Sequence, residues 1–196
     1  MTRSRHPIRL LSAWVLANLI GGFVVGFLEN NGFQFMATLI WSGAIVGSFQ
    51  WLVLRGQGQF GWWPMASATG WIVSTLVTSR ADGFYRPLVE GLWSWLGGWE
   101  VLWLNVITEP MNILGMAIAQ SLMLKPRGRS TGIWILASLV GAGVQGGVSA
   151  TLCANFCAVL PTTLVGIVHG LGWAAYGVVT GVAAIYVLKP QPDTVT

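Results

Sequence analysis

The sequence predicts an all-α integral membrane protein, with six transmembrane helices built from three tandem helical hairpins and approximate threefold pseudosymmetry. Three observations carry this reading. Of 196 residues, 54% are hydrophobic and only 8% are charged, where a soluble domain carries about 25% charged residues. Six apolar runs approach or exceed the ~17–25 residues that cross a hydrocarbon core. Two sequence motifs also alternate along those runs, three times in the same order. The whole chain, 1–196, reads as a single transmembrane domain.

The first run, 10–28, follows a basic start (Arg3, Arg5, Arg9), as the core of a signal peptide would. Its apolar length is that of a span and no small-x-small cleavage site follows, so it reads as a retained first helix. Further runs cover 34–54, 62–79, 106–124, 132–152 and 163–188, the third and fourth being the shortest. Between them lies one long connection, about 80–105, which opens polar at Arg80-Ala81-Asp82-Gly83. It then gathers Trp93, Trp95, Trp99 and Trp103 around Gly97-Gly98. Such a stretch is expected to lie along the outer membrane interface as an aromatic anchor, as a short helix broken near the glycines. The sharper alternative is a lid or docking surface. The tail 190–196, with Pro190 and Pro192, cannot continue the last helix and is expected to be disordered.

Orientation follows from the cations. With the N-terminus inside, Arg3, Arg5, Arg9, Arg55, Lys125, Arg127, Arg129 and Lys189 all lie at inner ends, and only Arg80 and Arg86 lie outside. The positive-inside rule therefore places both termini on the cytoplasmic side of the membrane. The net charge of +4 comes from these scattered ends and forms no patch, so nucleic acid is not an expected partner; the lipid bilayer is, together with other membrane subunits.

The odd spans share W-x2-A-[S/N]-x2-G, opening at Trp14, Trp63 and Trp134. The even spans close on a second pattern. Gly43-x3-Gly47-x2-Gln50 leads into Leu52-x-Leu54-Arg55, and Gly177-x3-Gly181-x2-Ala184 leads into the last Leu-Lys. The fourth span has Ile113, Ala117 and Gln120 at the same places. The hairpins are thus 10–55, 62–125 and 132–189, all starting from one side. Small residues four apart (Ala17 with Gly21, Gly22 with Gly26, Gly143 with Gly147, Gly166 with Gly170) let helix backbones approach where lipid supplies no hydrophobic drive.

Gln50 and Gln120 each lie five residues before a basic end, about 7.5 Å inside it. Trp14 lies at a comparable depth. An indole N–H can donate to a glutamine carbonyl, so a ring of Trp–Gln ties through Trp14, Trp63 and Trp134 is expected; glutamines bonded to backbone carbonyls are the plainer alternative. The other intramembrane polar candidates are Asn18, Asn112, Gln145 and His169, with Glu109 nearer the outer interface. His169 could ligate a haem or chlorophyll metal or relay protons, although a histidine bonded between helices is the commoner role. Glu109-Pro110 reads as the start of the fourth span, with Glu109 as a helix-terminal carboxylate. Cys153 and Cys157 lack further metal ligands and read as two small apolar residues at a helix end; a disulfide would need suitable geometry and an oxidising side. No hydrolase elbow, phosphate loop or zinc-protease motif occurs.

The W-x2-A-S-x2-G helix followed by G-x3-G-x2-Q-x-L-x-L-[R/K] resembles uncharacterised small multi-pass membrane proteins of cyanobacteria and other bacteria. The likeness covers most of the chain. It departs at the fourth span, which lacks the first glycine, and at Ala184, where glutamine is replaced. The resemblance implies a bacterial cytoplasmic or thylakoid membrane and no particular activity. The functional expectation is a non-catalytic structural or accessory protein, within a larger membrane complex. The alternatives are a small-solute carrier or substrate-capturing subunit, and a pigment- or haem-binding protein. Grouping of Asn18, Gln120, Gln145 and His169 around one cavity would favour transport, and their scattering would disfavour it.

Overall fold

The computed structural model describes residues 7–56, 60–124 and 131–188; the tail 190–196 and the cations Arg3, Arg5, Lys125, Arg127, Arg129 and Lys189 lie outside them. Among the described residues the regular structure is entirely helical. Four apolar helical stretches are long enough to cross a membrane: Pro7–Leu54, Glu100–Leu124, Thr131–Phe156 and Thr162–Val187.

The first of these is folded back on itself. Helix α1 (Pro7–Leu28) runs into a π-helical turn, Glu29–Phe33, where Asn31 (φ −120°) and Gly32 (φ 95°) leave helical geometry. Only glycine adopts such a positive φ without cost, so Gly32 supplies the reversal. Asn30 and Asn31 donate their side-chain amides to the carbonyls of Gly26 and Phe27, which satisfies the orphan acceptors at the end of α1. The chain returns through α2 (Gln34–Met36), a second π turn (Ala37–Trp41) and α3 (Ser42–Leu54).

Helix α4 (Trp63–Thr78) carries proline in its first turn, where no N–H partner is lost. Its 16 residues rise about 24 Å, short of the ~30 Å apolar thickness, so the expected third span is the least complete. Helix α5 (Asp82–Leu96) ends at Gly97 and Gly98, whose φ values of 73° and 85° break the helix where the glycine pair predicted. Helix α6 (Glu100–Leu124) starts six residues before the expected span, so Glu109 and Pro110 lie inside it and Glu109 is not at its N-terminus. Proline is tolerated there because a membrane bundle supplies alternative partners for the freed carbonyl. Helices α7 (Thr131–Phe156) and α8 (Thr162–Val187) complete the chain.

Six helices pack as neighbours in the order α1, α3, α4, α6, α7, α8, and α8 returns to α1, while α5 leans on α6 from outside. The first turns of α1, α4 and α7 and the last turns of α3, α6 and α8 meet in one apolar cluster built on Leu10, Leu54, Leu124 and Val187. We call this the basic end, from Arg9 and Arg55. Close approach of α8 to α1 depends on small residues: a Cβ at Gly166 or Gly170 would lie 2.7 Å and 2.9 Å from the carbonyl oxygens of Phe23 and Leu19. Gly70 and Gly115 put the backbones of α4 and α6 in direct contact. Gly143 and Gly147 differ, since they line an open apolar groove of about 680 Å³ with Leu102 and Val106 instead of a tight helix crossing.

Candidate functional site: two polar layers inside the bundle

At the basic end, Trp14, Trp63 and Trp134 meet edge to face, with ring centroids 6.4, 5.9 and 5.6 Å apart. Each opens its helix with the same motif, so each arrives at the same depth. All three are at most 1% exposed, and an indole N–H in a dry interior needs an acceptor. Trp63 donates to Gln50 Oε1 at 3.0 Å and Trp134 to Gln120 Oε1 at 3.2 Å. Trp14 has no glutamine partner. It donates to Thr180 Oγ1 at 3.0 Å, one helical turn before Ala184.

The remaining polar groups of this layer answer one another. Gln50 Nε2 donates to Asn18 Oδ1 at 2.9 Å, and Asn18 Nδ2 donates to the Trp14 carbonyl at 2.8 Å. Gln120 Nε2 reaches both Gln50 Oε1 (3.1 Å) and Ser67 Oγ (2.8 Å). Ser67 in turn donates to the Trp63 carbonyl at 2.8 Å. Asn18, Ser67 and Ser138 stand at the same motif position, four residues after each tryptophan. The first two receive a glutamine amide from the even helix that follows. Ser138 does not, because Ala184 has none to offer; the buried Tyr176 hydroxyl is its polar neighbour instead.

Above this layer the core continues through Val25, Val46, Trp71, Met116, Trp173 and Tyr176. The second polar layer lies beyond it. Glu29, absent from the sequence candidates, accepts from Thr38 Oγ1 at 2.8 Å and sits 3.3 Å from His169 Nδ1. Glu109 lies on α6 beside Gly146 of α7. No hydrogen bond to the Glu109 carboxylate exists among the described residues. Gln145 is 6% exposed and its Oε1 lacks a partner, as does Ser149 Oγ. Asn112 is half-buried, and its carbonyl accepts from Ser74 Oγ.

The polar candidates therefore fall into two sets and share no single cavity. Asn18, Gln50 and Gln120 belong to the tryptophan layer, whereas Gln145, His169, Glu109 and Asn112 belong to the opposite half. Glu29 and Thr38 were missed because they lie in the two π turns between α1 and α3, where no motif repeats. Ser67 was legible as the counterpart of Asn18. His169 is committed to Glu29 through Nδ1, and its Cβ rests against Gly26, while the apolar groove lies away from it between α6 and α7. Among the described residues no group of three His, Cys, Asp or Glu is disposed to hold a metal.

Outside the bundle, Trp93, Trp95 and Trp99 are exposed on or just after α5, and Trp103 lies within α6, donating to the Gly97 carbonyl at 2.7 Å. Asp82 and Arg86 pair at 3.1 Å one turn apart. The Arg86 hydrogen bond holds the Asp82 carboxyl below its ordinary range, and burial followed by the nearby Asp82 raises Tyr85. Cys153 and Cys157 correct the sequence reading: they form a disulfide, with Cα atoms 4.6 Å apart. The last turn of α7 stacks residues i and i+4, which brings the two side chains within bridging distance. Comparison with known proteins gives no matching family model, no matching curated protein and no matching solved structure.

Proposed function

We propose that this chain is a non-catalytic polytopic protein of a bacterial membrane, with a structural or accessory role beside other membrane subunits. Its six bundle helices cross as three tandem hairpins with approximate threefold pseudosymmetry, and both termini face the cytoplasm. The tryptophan–glutamine layer carries this reading. Its side chains come from α1, α3, α4, α6, α7 and α8, are almost wholly buried, and bond to one another instead of facing a solute path. Such a network rigidifies and specifies a bundle. The shortness of α4 is met by local bilayer thinning or by snorkelling of its flanks. On this reading the chain belongs with the small multi-pass proteins that its paired motifs resemble.

The disulfide supports the orientation. It lies at the end opposite Arg9 and Arg55, and disulfides persist on the oxidising side of a membrane. In spheroplasts, a membrane-impermeant phosphine should open it and allow labelling by an impermeant maleimide; protection from both would reverse the topology. Proteoliposomes holding the chain alone should stay tight to small solutes. Sustained uptake would overturn the non-conducting reading.

A second reading, the substrate-capturing subunit, is favoured by one observation: the polar layer around Glu29, Glu109 and His169 is incompletely satisfied. On this reading the chain holds a solute at the end opposite the tryptophans, and a partner subunit completes translocation.

A further inference from the structure

We propose that the groove between α6 and α7 seats α7 of a second copy of this chain, so that the protein pairs about a two-fold axis in the membrane. This goes beyond both functional readings and holds under either.

The described helices hold five pairs of glycines four residues apart, and one pair stands out. In the pairs opening at Gly22, Gly43, Gly166 and Gly177, a Cβ added at either glycine would lie 3.0 Å or less from a neighbouring helix. There the missing side chain is what admits that helix. Gly143 and Gly147 are different. A Cβ at Gly143 would find its nearest atom, the Val106 carbonyl oxygen, at 3.5 Å, and one at Gly147 would find Val106 Cγ2 at 3.3 Å. The bundle therefore has room for a methyl at Gly143, and at Gly147 only a side chain would have to yield.

The repeat makes the same point. Counted from the tryptophan that opens each odd span, these two positions hold Phe23 and Phe27 in the first hairpin and Ile72 and Leu76 in the second. Only the third hairpin carries glycine at both. Glycine weakens a helix interior relative to alanine, and no crossing within this chain offsets that cost. What offsets it lies outside the chain. A lipid acyl chain conforms to any groove and would not require glycine at both positions, whereas a helix backbone does.

The shape of α7 identifies the helix. Val140, Val144, Val148 and Leu152 line the groove as a ridge of residues four apart, directly beside the glycine pair. Valine keeps one rotamer in a helix, so the ridge is rigid before a partner arrives. A ridge and a hollow on one helix form a self-complementary patch, as a two-fold axis requires. The valines of each copy enter the glycine hollow of the other. Copies inserted alike meet about an axis along the membrane normal, with their α7 helices parallel. No residue of the face is charged, so identical surfaces meet without repulsion. The contact is also long enough. Membrane helices associate through close packing over a few turns instead of through large area. Leu136, Val140 and Val144 are exposed, and from Leu136 to Thr151 the face rises about 22 Å.

The full chain, carrying one fluorophore, is reconstituted into vesicles of phosphatidylglycerol and phosphatidylethanolamine at increasing lipid-to-protein ratios, and copies per spot are counted by photobleaching. We expect two bleaching steps that give way to one on dilution. Gly143→Ile and Gly147→Ile should weaken pairing by about tenfold or more, and Gly143→Ala by less. The alanine variant separates pairing from folding. A methyl fits the single copy and strengthens the helix, so its thermal midpoint in dilute detergent should hold or rise while pairing weakens. Val144→Ala removes bulk from an exposed position, cannot overpack the chain, and should weaken pairing by about threefold. Gly91→Ala on α5, where a Cβ meets nothing within 4 Å, should leave pairing unchanged. Pairing indifferent to both the glycine and the valine changes overturns the proposal, as do three or more bleaching steps. Single copies at every dilution overturn it too. Native mass spectrometry then assigns the groove to an acyl chain if the parent protein retains a lipid that Gly143→Ile loses, and to the helix of a different protein if it retains none.

Discussion

At the basic end, Gln50 meets Asn18, Trp63 and Gln120, and Gln120 meets Ser67 and Trp134; Ser138 alone receives no glutamine. At the opposite end, Glu29 meets Thr38 and His169, but Glu109 and Gln145 Oε1 meet nothing among the described residues. Both regions are polar groups enclosed by the same helices. One is closed by mutual hydrogen bonds and acts as architecture. The other is left open, and an open buried polar group is where a ligand has something to offer.

The comparison breaks most readily at its hub. Gln50→Leu strands the Trp63 indole, one Gln120 bond and the Asn18 carbonyl together. Unfolding in mixed detergent micelles should show a loss of about 2–4 kcal/mol. A loss no larger than that of a surface substitution would remove the layer's structural role. Thr180→Val deletes one acceptor while keeping the shape of the side chain. Only Trp14 is stranded, so the same titration should show about 1 kcal/mol, with Thr180→Ser close to the parent protein.

Glu109→Gln probes the other region and should differ in sign. Removing the charge of an enclosed carboxylate that no hydrogen bond satisfies should leave stability unchanged or raise it by up to about 1 kcal/mol. Destabilisation matching that of Gln50→Leu would show that the two layers do the same job. The smallest effect belongs to Asp82. Its folded pKa is depressed by Arg86, so its contribution is present above the unfolded carboxyl pKa and fades as pH falls through the folded value. Since the pair is exposed, acid should loosen only the start of α5, seen as faster amide exchange at 82–86 with the global unfolding midpoint unmoved.

Much of this molecule was legible from local pattern. Apolar length marks the helices, Gly97-Gly98 marks the break after α5, and the recurrence of tryptophan and glutamine marks their common depth, because depth along a helix is set by residue count alone. The repeat also located its own defect at Ala184. Partner choice was not legible. That Thr180 replaces the missing glutamine, that Ser138 lies beside Tyr176 instead, and that Glu29 in a turn reaches His169, some 140 residues away in the chain, depend on which helices become neighbours. Cys153 and Cys157 were read as inert because spacing alone does not say whether two thiols point at each other. Sequence by itself determined that the helices are apolar, how long they run and at what height their polar groups lie. Only the packing of α8 against α1, which closes the ring, decided which polar groups are satisfied and which are left open. Hydrogen bonds need distance and direction in three dimensions, and periodicity supplies neither.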